Sequence, residues 1–421
     1  RGDRVALILQ NVPQFVVGVV AVWKLGAIVV ALNPMYRAAE LTKLFADCRP
    51  KAAICHDEQW SVVAQAGDGV FAPEQILWTS GRDMQSRDDA RVLPERVEAP
   101  AAQGLMRALE AEAAPPPCAL ASQDVALLLY TSGTTGRPKG VIRTHRGGAM
   151  VALVTEIELK LQRDNSALLV MPMCHANSLY FFGAFAHMGA ATHIYSRKSF
   201  DPEHAIRALA EKGASFTSLV PTHYIMMLGL PQATRARLNL DAVEKLMISS
   251  APARTDTKRA VMEMFRNSGL YELYGSSEAG WVTMLHPDEQ FTHLGTVGRE
   301  CVGSAPIRIL DDHGNEVADG EPGELYSCNP YTFEGYWKLP DKTAEAFRGD
   351  YCTVGDMALR DGDGFIRLID RKKNLIISGG ENIYPSEVEN VLGAHPKVRD
   401  VAVVGLSDLK WGERVHAVVV L

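Results

Sequence analysis

Val125-Ala126-Leu127-Leu128-Leu129-Tyr130-Thr131-Ser132-Gly133-Thr134-Thr135-Gly136-Arg137-Pro138-Lys139-Gly140-Val141 runs from an unbroken apolar stretch straight into a loop of hydroxyls, glycines and one lysine. A short apolar run bounded by turn residues reads as a buried strand. The loop after it lets backbone N–H groups approach an anion closely at the glycines, adds hydroxyl donors, and supplies positive charge at Lys139. A polyphosphate cradle fits this density better than an ordinary Gly/Thr-rich turn. It is not a Walker A loop, because Lys139 stands three residues after Gly136 rather than next to it.

Upstream of this stretch the hydrophobic period alternates. Val5–Leu9 is a short apolar run. Pro13 sits where a first helical turn tolerates it, and an apolar helix continues to Leu25 before Gly26. Ala27–Leu32 reads as a strand, Ala38–Asp47 as a helix and Ala52–Cys55 as a strand. This β-α-β-α-β order predicts an α/β fold with a mostly parallel sheet covered by helices. Residues 80–120, with Pro115-Pro116-Pro117, read as a surface excursion. Downstream, strands are expected at Ala167–Met171, Phe216–Val220, Lys245–Ser249 and Tyr271–Tyr274, with helices at Pro202–Lys212 and Thr255–Asn267 between them. From about residue 295 the turns Asp311–Asn315 and Asp361–Gly364 signal antiparallel hairpins and a small β-rich subdomain over about 295–370. A helix over Asn382–Leu392 and strands over Val398–Val404 and Val415–Leu421 complete the reading.

Composition narrows the function. The 421 residues carry 43 Lys plus Arg against 50 Asp plus Glu, a net charge of −7, so nothing favours a nucleic-acid partner. Seven scattered cysteines without a C-x-x-C pair argue against a disulfide framework or a cysteine zinc site, and favour a reducing, cytoplasmic setting. No H-E-x-x-H occurs among the twelve histidines. Phe15–Leu32 is interrupted by Gly18, Lys24 and Gly26, so no transmembrane segment is expected there. A homodimer is compatible with the sequence. The chain opens at Arg1 inside a strand entry and without Met, which reads as a piece of a longer protein.

A second motif, Tyr274-Gly275-Ser276-Ser277-Glu278-Ala279-Gly280, again follows an apolar strand. Side chains at such strand ends face a crevice where ligands bind, and a carboxylate is the oxygen donor that Mg²⁺ takes beside phosphates. The segment misses the G-x-S-x-G elbow of serine hydrolases because Ala279 stands at the second glycine. Further on lie Gly355-Asp356, Asp370-Arg371-Lys372-Lys373-Asn374 and Ser378-Gly379-Gly380-Glu381-Asn382.

With these motifs in this order, the sequence resembles the adenylate-forming superfamily of acyl-CoA synthetases, luciferases and peptide-synthetase adenylation domains, over essentially the whole chain. The resemblance implies a large N-terminal domain over 1–370 and a hinged, partial α+β C-terminal domain over 371–421. It implies ATP, Mg²⁺ and CoA, with acyl-AMP and pyrophosphate formed first and a thioester second. By resemblance, Thr131 to Gly136 and Lys139 hold the phosphates, Tyr274 stacks on adenine beside Gly275, Ser277 meets the α-phosphate and Glu278 holds Mg²⁺. Asp356 and Arg371 hold the nucleotide, Lys373 is the hinge, and Ser378, Gly379 and Gly380 line the pantetheine path. His175 in Met173–Ser178 gates the acyl site. Tyr180, Phe181, Phe182, His223, Tyr224, the 249–252 turn with Ser250 and Ala251, and Trp281 wall it.

No carboxylate lies beside His175 to pair with an ammonium, which disfavours an amino acid substrate. Tyr331–Lys338 looks most like fatty-acyl and steroid side-chain ligases, with an aryl acid left open. A carrier protein in place of CoA, or a nucleotide-binding pseudoenzyme, shares these motifs. The family's C-terminal lysine has no counterpart after Lys410, so this chain as written is expected to be impaired in adenylation.

Overall fold

A computed structural model describes residues 1–83, 99–100, 103–111, 114, 118–131, 138–197, 199–251, 253–378, 381–408 and 410–421. Ser132 to Arg137 of the phosphate loop, Pro115–Pro117, Pro252, Gly379 and Gly380 therefore lie outside the described residues.

Two large sheets organise the chain. The first runs in the order 76–79, 52–56, 4–8, 28–31, 125–131, 139–144, parallel throughout except for the last strand. The second runs 299–300, 280–285, 269–276, 245–249, 216–219, 166–169, 191–194, parallel except at its first two strands. Successive side chains of a strand point to opposite faces, and the apolar clusters obey this rule residue by residue. In the first sheet, Leu7, Val29, Leu127 and Leu129 face an inner cluster, while Ala6, Ile8, Val30 and Leu128 face an outer one with Leu41, Leu44 and Phe45. In the second, Leu169, Met247, Tyr271 and Leu273 join the same inner cluster. Leu168, Leu246, Ile248 and Leu270 turn outward to Leu209, Tyr224 and Phe265. Strands buried on both faces explain the near-continuous apolar runs in the sequence.

Helices His145–Leu159 and Ala176–Met188 supply Val151, Val154, Phe181 and Phe185 to the shared inner cluster, and so join the two sheets. Glu158 of the first helix is buried. It accepts from the Val302 N–H at 2.6 Å and sits 2.9 Å from His286 Nε2. The His286 pKa is raised from its ordinary value of 6.5, first by the hydrogen bond to Glu158, while burial acts the other way. Stability from this pair is therefore fully present below the unfolded pKa and is lost as pH rises through the raised folded value. The gap in melting temperature between wild type and His286→Gln is expected to narrow as pH is raised from about 6 to about 9, as read by calorimetry.

Beyond the second sheet, four antiparallel strands, 308–310, 323–326, 356–360 and 366–371, form the small β unit. Turns at Asp311–Asn315 and Asp361–Gly364 make the expected reversals, each closed by an Asp side chain accepting from backbone N–H groups. Residues 381–383, 376–378, 412–420 and 400–408 build a final sheet. The helix expected over Asn382–Leu392 begins later. Glu381–Ile383 is a strand, and the helix is Pro385–Gly393. Pro385 forces Tyr384 into extended backbone and is itself suited to a first helical position, so it sets the boundary. The helix expected over Thr255–Asn267 ends at Met264, and the strand expected at Tyr271–Tyr274 extends over Gly269–Ser276. Among the described residues, no helix is long and apolar enough to cross a membrane.

Candidate active site

Thr131, Ser250 and the turn after Tyr274 lie at the carboxyl ends of strands that pair in parallel. Thr131 closes the strand Val125–Thr131, and Lys139 opens the antiparallel return, paired directly opposite it. Lys139 Nζ lies 4.7 Å from the centre of the Tyr336 ring. The Tyr336 hydroxyl donates to Glu278 Oε1 at 3.0 Å. Burial, with the Glu278 carboxylate second, raises the Tyr336 pKa, so the phenol stays protonated as a donor.

Glu278 itself is buried, and its backbone is pinned. Its carbonyl oxygen accepts from Arg143 Nη1 at 3.0 Å and from the Phe333 N–H at 2.8 Å. Among the described residues, no group of three or more His, Cys, Asp or Glu side chains is placed to hold a metal ion. A cation at Glu278 would thus take one carboxylate from the protein and its other oxygens from phosphates and water, which is how Mg²⁺ is usually held.

The chain turns sharply to deliver Glu278. Pairing of Gly269–Ser276 with Gly280–Leu285 slips at Tyr274/Gly275, a bulge that re-aims the strand end. A Cβ on Gly275 would lie 2.2 Å from the Gly280 carbonyl oxygen, so only glycine fits. The Ala279 N–H donates to Ser276 Oγ at 2.9 Å, closing the turn around the half-buried Ser277.

Beside this turn, Tyr274 donates its hydroxyl to Asp356 Oδ2 at 2.7 Å, and Arg371 Nε lies 3.2 Å from Asp356 Oδ1. Burial first, then the Asp356 charge, raises the Tyr274 pKa well above that of a free phenol. Gly355 turns at a positive φ of 81° to present Asp356, with its N–H on Thr353 Oγ1. Lys373 is exposed on the turn Lys372–Asn374. Asp370 fastens that turn: Oδ1 accepts from the Arg371 N–H and Asn374 Nδ2, and Oδ2 accepts from the Ser386 N–H at 3.0 Å. Ser378 is half-buried on the strand Ile376–Ser378, opposite Gly412.

His175 precedes the helix Ala176–Met188. Its surface remains exposed, yet neighbouring atoms desolvate the ring enough to lower its pKa, which favours neutral imidazole at pH 7. Trp281 is buried with Nε1–H on Thr155 Oγ1. Tyr180 meets it edge-on at 5.4 Å, and Phe181 packs against it at 5.3 Å. Phe182 is buried nearby on the same helix. Ser250 adopts a left-handed φ of 69°, unusual for a serine, and Ala251 after it is exposed. His223 stacks on Phe200 at 4.0 Å.

Tyr224 does not share the wall formed by Trp281. It is fully buried in the outer cluster of the second sheet, its hydroxyl on the Met247 carbonyl oxygen, and is a core residue. The sequence reading missed Tyr336, Arg143 and Asp370. Tyr336 and Arg143 contact Glu278 across 58 and 135 residues, with no spacing signal to announce them.

Comparison with known proteins identifies the family of the chain. Residues 1–337 match the AMP-binding enzyme family, and residues 387–421 match the AMP-binding enzyme C-terminal domain. A feruloyl-CoA synthase of an Amycolatopsis species is 31% identical over 420 residues, spanning 100% of this chain and 78% of that protein. A medium/long-chain-fatty-acid–CoA ligase of Mycobacterium tuberculosis is 36% identical over 299 residues, 70% of this chain and 51% of that protein. The crystal structure of ATP-bound MatB from Rhodopseudomonas palustris aligns with a TM-score of 0.83 at 27% identity, covering 99% of this chain and 78% of that one. The chain therefore belongs to the AMP-binding enzyme family, the adenylate-forming enzymes, and is an AMP-forming acid–thiol ligase.

Proposed function

We propose that the chain activates a hydrophobic carboxylic acid with ATP to an acyl-AMP and then transfers the acyl group to CoA. The observation that carries this reading is the meeting of Lys139, Tyr336 and Glu278 next to Tyr274, Asp356 and Arg371, beside an aromatic wall of Tyr180, Phe181 and Trp281. One cluster has the charge for a polyphosphate and the other a carboxylate able to accept from ribose hydroxyls. The wall buries an apolar body.

Mg²⁺ bound at Glu278 supplies charge neutralisation to the phosphates. The remaining work falls to side chains. Lys139 faces the leaving pyrophosphate, and Tyr336 fixes one oxygen of Glu278 so that the other stays available. His175, neutral, closes on the acyl side without adding charge. The acid's carboxylate attacks the α-phosphorus, the bond to pyrophosphate breaks, and the CoA thiolate later displaces AMP from the acyl carbon. Movement about Lys373 brings the C-terminal unit to the second step.

Seven free cysteines, five of them buried, support a reducing compartment such as the cytoplasm. Burial pushes the Cys48 and Cys174 thiols up to about 12, so neither is a thiolate at neutral pH.

Fatty, aryl and amino acids compared in ATP–pyrophosphate exchange test the reading. Apolar acids should support exchange and amino acids should not; the reverse order would reject it. Thioester formation with CoA but not with a carrier protein tests the second step. Asp356→Asn weakens the contacts to Tyr274 and Arg371 and the hold on ribose. It is expected to raise the KM for ATP about tenfold with a smaller change in kcat.

A further inference from the structure

Two oppositely charged side chains are buried together outside the groups assigned to ATP, acid and CoA. Lys258, on the helix Thr255–Met264, is 2% exposed, and Glu272, on the strand Gly269–Ser276, is 5% exposed. The Lys258 ammonium donates to Glu272 Oε2. The helix and the outer face of the second sheet are otherwise joined by apolar side chains, among them Val261, Phe265, Ile248 and Leu270. Burial raises the Glu272 pKa. Lys258 and the Ala253 backbone oppose that rise by holding the ionised carboxylate.

Such a pair is a poor route to stability. Desolvation of the two charges offsets most of their attraction, and packed apolar side chains of similar volume often do as well or better. Its position supplies another reason for it. Glu272 stands two residues before Tyr274 and pairs with Ile248, the neighbour of Ser249. The chain leaving Ser249 carries Ser250 and Ala251, the residues assigned to the acyl wall. Ser250 holds its left-handed φ of 69°, a conformation that persists in a serine only where its surroundings over-determine it. On one side, Asn177 Nδ2 donates to Ser249 Oγ at 2.9 Å. On the other, the Ala253 N–H donates to the Glu272 carboxylate. Ser250 and Ala251 are thus fastened from both sides, and Lys258 steadies the second fastening.

We propose that Lys258 and Glu272 are positioning residues for the acid: Glu272 anchors Ala253, Lys258 holds Glu272 in place, and together they keep Ser250 and Ala251 in the shape that receives the acyl group. The inference rests on the reading of Ser250 and Ala251 as acyl wall. Tyr274, on the same strand as Glu272, has a partner of its own in Asp356, so the nucleotide side depends on the pair far less.

An apolar replacement of the pair separates positioning from stability. Lys258→Met combined with Glu272→Leu removes both charges at similar volume, and its melting temperature should stay within about 3 °C of wild type. In ATP–pyrophosphate exchange with an apolar acid, its KM for the acid should rise about tenfold while its KM for ATP changes less than about twofold. Hydrogen exchange read by mass spectrometry without substrates should show the Ala253 amide losing at least about tenfold of its protection. Lys258→Met combined with Glu272→Gln keeps an acceptor for that N–H, and should return both readouts to within about threefold of wild type. A wild-type KM for the acid in the first double variant would overturn the proposal, as would undiminished protection at Ala253. Equal losses in the two double variants would overturn it too. So would a first variant too unstable to assay, since the pair would then serve the fold itself. If no acid supported exchange in the wild type, the proposed function would fail, and protection at Ala253 would still decide this inference.

Discussion

Glu278→Gln is expected to lower ATP–pyrophosphate exchange by about 10²–10³-fold and to leave the melting temperature nearly unchanged. The two effects separate because Glu278 is held by different parts of itself. Its backbone carbonyl carries the structural contacts, from Arg143 Nη1 and the Phe333 N–H, and these survive the substitution. An amide oxygen can still accept from the Tyr336 hydroxyl in place of Oε1. What the variant loses is the negative charge that a divalent cation and its phosphates require, in a site where burial makes charge matter more. Raising Mg²⁺ should recover part of the rate in the variant. A rate within threefold of wild type at any Mg²⁺ concentration would remove Glu278 from the role proposed for it.

Gly275→Ala is expected to reduce activity to below about one per cent and to lower stability by about 1–3 kcal/mol, the ordinary cost of overpacking. The added methyl would sit 2.2 Å from the Gly280 carbonyl oxygen and 3.3 Å from Trp281 Cα, both backbone atoms that no rotamer change can move. The strands Gly269–Ser276 and Gly280–Leu285 must part locally, and the turn carrying Ser277 and Glu278 moves with them. Gly355→Ala is the instructive contrast. Among the described residues nothing lies within 4 Å of a Cβ built there, so the left-handed φ of 81° is what opposes the change, at about 1–2 kcal/mol. Calorimetry with exchange kinetics on both variants distinguishes a steric block from a conformational cost. Equal activity in the two would show that the closeness of the two strands does not matter.

Much of this was legible from short-range pattern. The strand Lys245–Ser249 and the helix Pro202–Lys212 lie where their hydrophobic periods place them, because burial of alternate or every third to fourth residue is a local property. Pro385 shows the limit of that reading. The apolar rhythm alone ran the helix back to Asn382, and one ring's steric demand on Tyr384 moved its start. Tyr224 shows another limit. An aromatic residue near a presumed pocket reads the same whether it faces ligand or core, and only packing revealed its hydroxyl on Met247.

By itself, the amino-acid sequence determined the alternation of strands and helices, the two glycine-rich loops and the kind of chemistry they serve, since each depends on residues within one turn or one strand of each other. Only the tertiary structure decided that Tyr336 and Arg143 steady Glu278 and that Tyr274 leans on Asp356 across 82 residues. Those meetings arise where separate strands end at one edge and helices pack between sheets. Chain topology brings such residues together, and distance along the sequence carries no trace of it.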